Sequence, residues 1–221
     1  MHRSLTIIGH GAFGRALEAI YTQNGFQTRL FGRDAPRRLE GEVVFLAVPS
    51  DAVPQVLQDR TVSTDSVIIL CCKGILGDGR LPSAHMPAGV GWAVLSGPGF
   101  AFELQQQLPT IHALASTTLP VQDLAAQLSL PSFRLYWSDD PIGTQVCGAF
   151  KNVLAIAAGI ADGLALGENA RAALITRGAH EMRRAVLAFG GVERTIWSPA
   201  GLGDLVLTCS SAQSRNFRFG Q

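Results

Sequence analysis

The sequence carries no charge excess of either sign, since 18 Lys and Arg residues face 17 Asp and Glu residues, for a net charge of +1. Proteins that bind nucleic acid or anionic membranes use clustered basic residues, so we expect neither partner. Cysteine is scarce, and no CxxC pair occurs, which argues against a metal site or a disulfide framework. We expect reduced thiols and no bound metal; the cysteines are Cys71, Cys72, Cys147 and Cys209.

A long uninterrupted apolar run is also missing, because Asp162 interrupts the best candidate. A membrane-spanning helix needs about 20 apolar residues in succession, so we expect no membrane span. The N-terminus runs directly into a short apolar strand and a glycine loop, which is unlike a secretory signal. These absences predict a soluble, cytoplasmic protein.

The most specific local pattern is a glycine-rich loop, GHGAFG, at residues 9–14. It follows an apolar strand at 5–8 and opens a helical pattern, which is the context of a dinucleotide-binding turn. Gly9 permits the tight turn, Gly11 lets the backbone approach a pyrophosphate, and Gly14 lets the helix pack on the strand. We expect the loop to contact the cofactor, with an ordinary glycine-rich turn as the alternative; the contacting residues are Gly9, Gly11, Ala12, Phe13 and Gly14.

The residues after the second predicted strand bear on the choice of cofactor. An NAD site usually places a carboxylate at the tip of this strand to bind the ribose hydroxyls. Here Gly32 occupies the tip and Arg33 follows, with further arginines close behind. Glycine leaves space for a 2′-phosphate and a guanidinium can pair with it. The pattern favours NADP over NAD, although Asp34 could still bind a hydroxyl.

Strand and helix patterns alternate from the N-terminus to about residue 137, after which only helical patterns remain. Such alternation predicts an α/β fold with a Rossmann-like, doubly wound parallel sheet, followed by an all-helical C-terminal domain. We therefore expect a dinucleotide-binding domain at 1–137 and a helical substrate and catalytic domain at 138–221. Ligands of such sheets bind beyond the carboxyl ends of the strands.

The first predicted helix after this boundary is apolar on nearly every face and contains one charged residue, Lys151. A helix that is apolar all round is a buried helix. Its glycines and alanines suggest that other backbone approaches closely, because each interior glycine costs about 1 kcal/mol relative to alanine. A lysine in this setting either extends to the surface or finds buried partners, with a shifted pKa.

Several longer motifs resemble the NAD(P)-dependent glycerol-3-phosphate dehydrogenase family, closest to its bacterial members. The resemblance covers nearly the whole chain. It rests on AVPS (47–50), CKG (72–74), SGPGFAFE (96–103), GAFKNVLAIAAGIADGL (148–164), AALITRG (172–178) and AGLGDLVLTCSSAQSRNFRFG (200–220).

The resemblance implies reversible reduction of dihydroxyacetone phosphate to sn-glycerol 3-phosphate, a precursor of phospholipids, with NADP or NAD. By the same resemblance, Lys151, Lys73 and Asp204 are the catalytic residues, and Lys151 exchanges the proton with the substrate oxygen. Arg215 suits a phosphate. The full substrate-binding set implied is Lys73, Gly97, Asn152, Asp204, Thr208, Arg215 and Asn216, and the cofactor set adds Arg33, Pro49, Lys73, Ala101 and Arg215 to the glycine loop.

The sequence also departs from the family pattern. Gly99 replaces an expected serine, Phe102 an expected charged residue, Gln145 a glutamate and Cys147 a glycine, and the segment between residues 33 and 43 is short. The family continues for roughly one hundred more helical residues beyond this length, so the resemblance predicts a fragment or a shortened homologue. Apolar helix faces left uncovered would promote a homodimer.

Two alternatives stay open from the sequence. The chain could be a non-catalytic or weakly active dinucleotide-binding homologue, because of its length and Gly99. It could also be a related β-hydroxyacid dehydrogenase that acts on another small substrate.

Overall fold

The computed structural model describes residues 4–221. Nine strands and eight α-helices occur in this part of the chain, together with three short 3-10 helices and a π-helical turn at Pro199–Gly203. The strands are β1 (Ser4–Ile8), β2 (Gln27–Phe31), β3 (Arg38–Leu39), β4 (Val43–Leu46), β5 (Thr61–Val62), β6 (Val67–Leu70), β7 (Gly91–Ser96), β8 (Thr110–Ala115) and β9 (Phe133–Ser138). The helices are α1 (Ala12–Gln23), α2 (Val53–Asp59), α3 (Ala101–Gln105), α4 (Val121–Leu128), α5 (Pro141–Gly163), α6 (Gly167–Ala188), α7 (Asp204–Cys209) and α8 (Arg215–Gly220).

Seven strands form one sheet in the order β2-β1-β4-β6-β7-β8-β9. The apolar, β-branched runs of β1, β4 and β6 are buried on both faces, as expected of central strands in a parallel sheet. Two apolar clusters pack on opposite sides, one around Tyr21 and Phe133 and the other around Val53 and Ile68. The predicted α/β fold, followed by a helical C-terminal part, is confirmed.

The sheet is mostly parallel rather than wholly parallel, because β8 pairs antiparallel with β7. Parallel neighbours need a crossover of a dozen or more residues that returns the chain across the sheet. The link between β7 and β8 (97–109) is long enough, but its only helix is α3, whose five residues rise about 7.5 Å and do not carry the chain back along β7; Ala113 pairs with Ser96 where β7 ends. The start of β8 therefore lies beside the end of β7, at the edge where ligands bind.

A second, two-residue parallel pair joins β3 to β5. The sequence indicated a shortened connection between residues 33 and 43 without a strand of its own. The structure instead places Arg38 opposite Thr61 and Leu39 opposite Val62, which fastens the connection to the chain that follows α2.

The helical part surrounds α5, which packs against α6, α7 and α8 and also contacts β7 and β8. Asp140 caps α5 by accepting a hydrogen bond from the Gly143 amide at 2.8 Å, and Pro141 occupies the first turn. The predicted close approach of backbone is confirmed at Gly159, where an added Cβ would overlap the Phe217 carbonyl. Strands end at Ser138 and this helical part begins at Pro141; its status as a separate domain stays a prediction.

By length and composition alone, α5 could cross a membrane. Half of its most apolar window is buried inside the protein, and Lys151 lies in the same helix. These features are those of a buried core helix.

Candidate active site

The glycine loop lies at the carboxyl end of β1, and its glycines differ in their surroundings. Gly9 has a φ of +125°, and an added Cβ there would overlap the Ala47 backbone. A Cβ on Gly14 would overlap the Gly9 carbonyl, so the helix packs directly on the turn. Gly11, by contrast, faces open space, with nothing within 4 Å of an added Cβ. A loop with two packed glycines and one open glycine fits a dinucleotide pyrophosphate.

The other predicted cofactor residues lie along the same edge of the sheet. Arg33 follows β2 and is exposed, while Pro49 follows β4 and precedes a short 3-10 helix. Ala101 is the first residue of α3, and Phe13 in α1 stacks on the imidazole of His112 with ring centroids 6.0 Å apart. The fold therefore brings these residues to one edge.

Lys151 does not reach the surface, because it is only 9% exposed. Its Nζ donates to Asp204 Oδ1 at 2.9 Å and to Thr208 Oγ1 at 3.1 Å. Asp204 and Thr208 lie four residues apart in α7, and Thr208 also donates to the Asp204 carbonyl at 2.6 Å. The two residues thus share one face of α7, and it is the face that receives Lys151.

Lys73 reaches the same carboxylate from the loop after β6. Its Nζ donates to Asp204 Oδ2 at 2.5 Å and to the Gly97 carbonyl at 2.9 Å. Lys73 and Lys151 are the two lysines of the sequence, and both bind Asp204. One buried carboxylate thus faces two ammonium groups and leaves an excess positive charge at the site.

These contacts set the protonation of the cluster. Burial first, and the neighbouring Lys73 second, lower the pKa of Lys151 to about 8. Burial alone would raise the pKa of Asp204, but Lys73 and Lys151 hold that pKa below its usual value. Lys151 can therefore exchange a proton near neutral pH while Asp204 stays ionised.

A chain of amides continues from the lysines to the end of the helical part. Asn152 Nδ2 donates to the Lys73 carbonyl at 3.1 Å, and Asn216 Nδ2 donates to Asn152 Oδ1 at 2.9 Å. Arg215, the neighbour of Asn216, begins α8 and is exposed. In residues 4–221, no carboxylate lies within ion-pair distance of Arg215. The structure thus joins Asn152 and Asn216 to the site and leaves the Arg215 guanidinium outside this network.

Several residues near the lysines were not recognised from the sequence as parts of a site. Gly148 allows α5 to approach Lys73, because an added Cβ would lie 3.4 Å from Lys73 Cγ. His112 lies beneath the turn after β7 and is 1% exposed; burial first, and Lys73 second, lower its pKa to about 3. An added Cβ on Gly99 would lie 2.7 Å from His112 Cε1. The imidazole therefore occupies space beside the glycine that replaces the expected serine.

Cysteine chemistry is absent from the candidate site. Burial raises the pKa of Cys147 to about 12 and that of Cys209 to about 11, so both remain protonated thiols. All four cysteines are free and buried. In the part of the chain that the structure describes, no group of three or more His, Cys, Asp or Glu residues could hold a metal ion.

Comparison with protein families gives two matches. Residues 38–121 match the model described as the NAD-dependent glycerol-3-phosphate dehydrogenase N-terminus, and residues 140–221 match the corresponding C-terminus.

Comparison with individual proteins agrees with the family matches. The chain is 41% identical to glycerol-3-phosphate dehydrogenase [NAD(P)+] of Agrobacterium fabrum, over 98% of this chain and 78% of that protein. It is 42% identical to the same enzyme of Methylobacterium radiotolerans, over 98% and 77%. Among solved structures, glycerol-3-phosphate dehydrogenase from Coxiella burnetii superposes with a TM-score of 0.90 at 36% identity, over 99% of this chain and 79% of that one.

Proposed function

The chain belongs to the NAD-dependent glycerol-3-phosphate dehydrogenase family, and we propose that Lys151, Lys73 and Asp204 carry out the family's reaction here. That reaction is the reversible, NAD(P)-dependent reduction of dihydroxyacetone phosphate to sn-glycerol 3-phosphate. The observation that carries the proposal is the shared Asp204 carboxylate, which holds both ammonium groups beside the carboxyl ends of the strands.

The reduced nicotinamide supplies a hydride to the C2 carbonyl carbon when the cofactor is bound. The carbonyl oxygen then needs a proton, and Lys151 donates it from Nζ because its pKa lies near neutrality. In the reverse direction the neutral amine accepts the proton. Asp204 and Thr208 hold Nζ in place, and Lys73 places a second positive charge where the oxygen becomes negative.

Arg215, Asn216 and Asn152 form the proposed phosphate side of the site. The amide chain from Lys73 through Asn152 to Asn216 fixes the distance between α8 and the lysines. Arg215 projects from the first turn of α8, and its exposed guanidinium is available for a bidentate contact with phosphate oxygens.

The cofactor is NAD(P), and we propose that NADPH is preferred. Gly32 at the tip of β2 has no carboxylate to bind the ribose hydroxyls. An added Cβ on Gly32 would lie 3.0 Å from His10 Nδ1 and 3.2 Å from Asp34 Oδ1. Asp34 Oδ1 accepts a hydrogen bond from the Gly32 amide at 3.1 Å. This oxygen is therefore already hydrogen-bonded to the end of β2. Arg33 remains exposed for a 2′-phosphate.

We also propose that the protein works in the cytoplasm as a homodimer that supplies a phospholipid precursor. The free cysteines support a reducing compartment. Exposed apolar side chains on α5 and α8, including Val153 at 66% and Phe219 at 80% exposure, support self-association. Light scattering coupled to size exclusion, at two protein concentrations, tests the dimer.

The test of the reaction is consumption of NADPH or NADH, followed by absorbance, with dihydroxyacetone phosphate as substrate. We expect substrate-dependent oxidation of both cofactors, faster with NADPH. Dinucleotide binding without turnover would contradict the proposed reaction and favour the non-catalytic alternative. Equal or faster turnover with NADH would contradict the NADPH preference alone.

A further inference from the structure

The connection between β2 and β4 brings arginines from two parts of the chain together. The Thr61 amide donates to the Arg37 carbonyl at 2.8 Å, at the start of the β3–β5 pairing. This bond aligns Arg37 with Arg60, the residue that precedes β5. Arg60 also donates from Nη2 to the Arg33 carbonyl at 3.1 Å, which links it to the segment just beyond the tip of β2.

An open pocket of about 460 Å³ lies between these segments. Ala35 and Arg37 line it from the connection, and Gln58, Asp59 and Arg60 line it from the end of α2. Its position follows the carboxyl end of β2, where the adenosine ribose of a dinucleotide lies in this type of fold. The pocket does not touch the lysine cluster described above.

The charge of this pocket is positive. In the described chain, residues 4–221, no carboxylate lies within ion-pair distance of Arg33, Arg37 or Arg60. Asp59 contributes the one acidic side chain to the lining, and its Oδ1 accepts a hydrogen bond from Gln55 at 2.7 Å.

The Arg60 guanidinium has an unused donor. Its Nε is buried, and it has no hydrogen-bond partner within the described residues. A buried N–H without an acceptor is unfavourable, and an anionic oxygen is the strongest acceptor that could satisfy it. The lining carries two guanidinium groups, of Arg37 and Arg60, against the one carboxylate of Asp59, and this charge favours an anion over a neutral ligand.

We propose that Arg60, together with Arg37, binds the 2′-phosphate of NADPH and is a specificity-determining residue for NADPH over NADH. The inference rests on the proposed preference for NADPH and adds two residues to Arg33. The guanidinium of Arg60 is held by the Arg33 carbonyl through Nη2, which leaves Nη1 as a donor for a ligand in the pocket. A fixed guanidinium loses little conformational freedom when it binds a phosphate.

The test compares equilibrium binding by calorimetry for NADPH, NADH and the fragment pair 2′,5′-ADP and 5′-ADP. Arg60→Gln removes the charge and the donors from the pocket. Arg38→Gln is the matched control, because Arg38 lies in the same connection, is exposed and does not line the pocket. We expect Arg60→Gln to weaken the binding of NADPH and 2′,5′-ADP about tenfold or more. The binding of NADH and 5′-ADP should weaken less than about twofold. Arg38→Gln should change none of them beyond about twofold.

Three results would overturn the inference. They are unchanged NADPH binding by Arg60→Gln, equal losses for NADPH and NADH, and equal losses for the Arg38 and Arg60 variants. If Arg60→Gln fails to fold, as judged by thermal melting, Arg60→Lys keeps the charge but loses Nε and the planar guanidinium. It should still lower the NADPH-to-NADH affinity ratio, and an unchanged ratio would overturn the inference.

The same measurements separate this inference from the proposed reaction. A wild-type protein that binds NADPH through Arg60 but does not reduce dihydroxyacetone phosphate would contradict the reaction and support the inference. A wild-type protein that reduces the substrate but binds NADPH and NADH equally would support the reaction and contradict the inference.

Discussion

Lys73 and Lys151 donate to opposite oxygens of one carboxylate, with Nζ–O distances to Asp204 of 2.5 and 2.9 Å. The two lysines come from different parts of the fold, a loop after β6 and the middle of α5. One carboxylate balances only one ammonium charge, so Lys73 adds to the effect of burial in making protonation of Lys151 less favourable. Burial and this arrangement lower the pKa of Lys151 to about 8, so its ammonium group can lose a proton near neutral pH.

Replacement of Lys151 should abolish turnover while cofactor binding is retained. Lys151→Met keeps the length of the side chain and removes the proton, so we expect kcat to fall roughly 100- to 10,000-fold. Lys151→Arg keeps a positive charge beside Asp204 but cannot release a proton at working pH. We expect its kcat to fall by a similar factor. Steady-state kinetics with NADPH titrations measure both effects. Near-normal turnover by Lys151→Arg would show that only the charge matters.

The pH dependence should have opposite signs in the two directions. Reduction needs Lys151 protonated, so kcat/KM should be level below pH of about 8 and fall above it. Oxidation needs the neutral amine, so kcat/KM should rise up to pH of about 8 and then level. Initial rates between neutral and alkaline pH measure both limbs. Profiles that bend in the same direction would contradict a single proton-transferring group.

Removal of the Arg215 guanidinium should weaken substrate binding, seen in KM, more than it slows the catalytic step, seen in kcat. We expect Arg215→Ala to raise KM for dihydroxyacetone phosphate about tenfold, because a charge-assisted phosphate contact is lost. Arg218→Ala is the matched control, since Arg218 is exposed in the same helix α8. An unchanged KM for Arg215→Ala, or equal changes in both variants, would remove Arg215 from the phosphate site.

Gly99 and His112 should be energetically coupled. Gly99→Ser would place a Cβ 2.7 Å from His112 Cε1, and we expect a loss of about 1–3 kcal/mol in the free energy of unfolding. In the His112→Ala background, Gly99→Ser should lower the free energy of unfolding by at least about 0.5 kcal/mol less than it does in the wild type. Gly77→Ser is the control, because an added Cβ there meets nothing within 4 Å. Denaturant unfolding of the wild type, the two single variants and the double variant measures the coupling. Additive losses in the free energy of unfolding would contradict the contact.

The parts of this molecule that the sequence predicted are those set by local pattern. The glycine loop carries its geometry in six residues, and the structure gives Gly9, Gly11 and Gly14 the surroundings expected of each. The burial of α5 followed from apolar side chains on every face.

The parts that the sequence did not predict depend on contacts between distant segments. The periodicity of β8 indicates a strand but not its direction, so the antiparallel pairing with β7 was missed. Arg60 and Arg37 meet only because β3 pairs with β5, and His112 meets Gly99 only across two strands. The lowered pKa of Lys151 comes from burial first and from Lys73 second, and Lys73 arrives from another part of the chain.

Titration of the lysine side chains by NMR is the direct test of whether the cluster around Asp204 lowers the pKa of Lys151. Selective carbon-13 labelling of lysine should give two side-chain signals, and the signal lost in Lys151→Arg identifies Lys151. We expect Lys151 to titrate at a pH of about 8 in the free protein. A Lys151 signal that titrates at the ordinary lysine value of about 10.4 would contradict it.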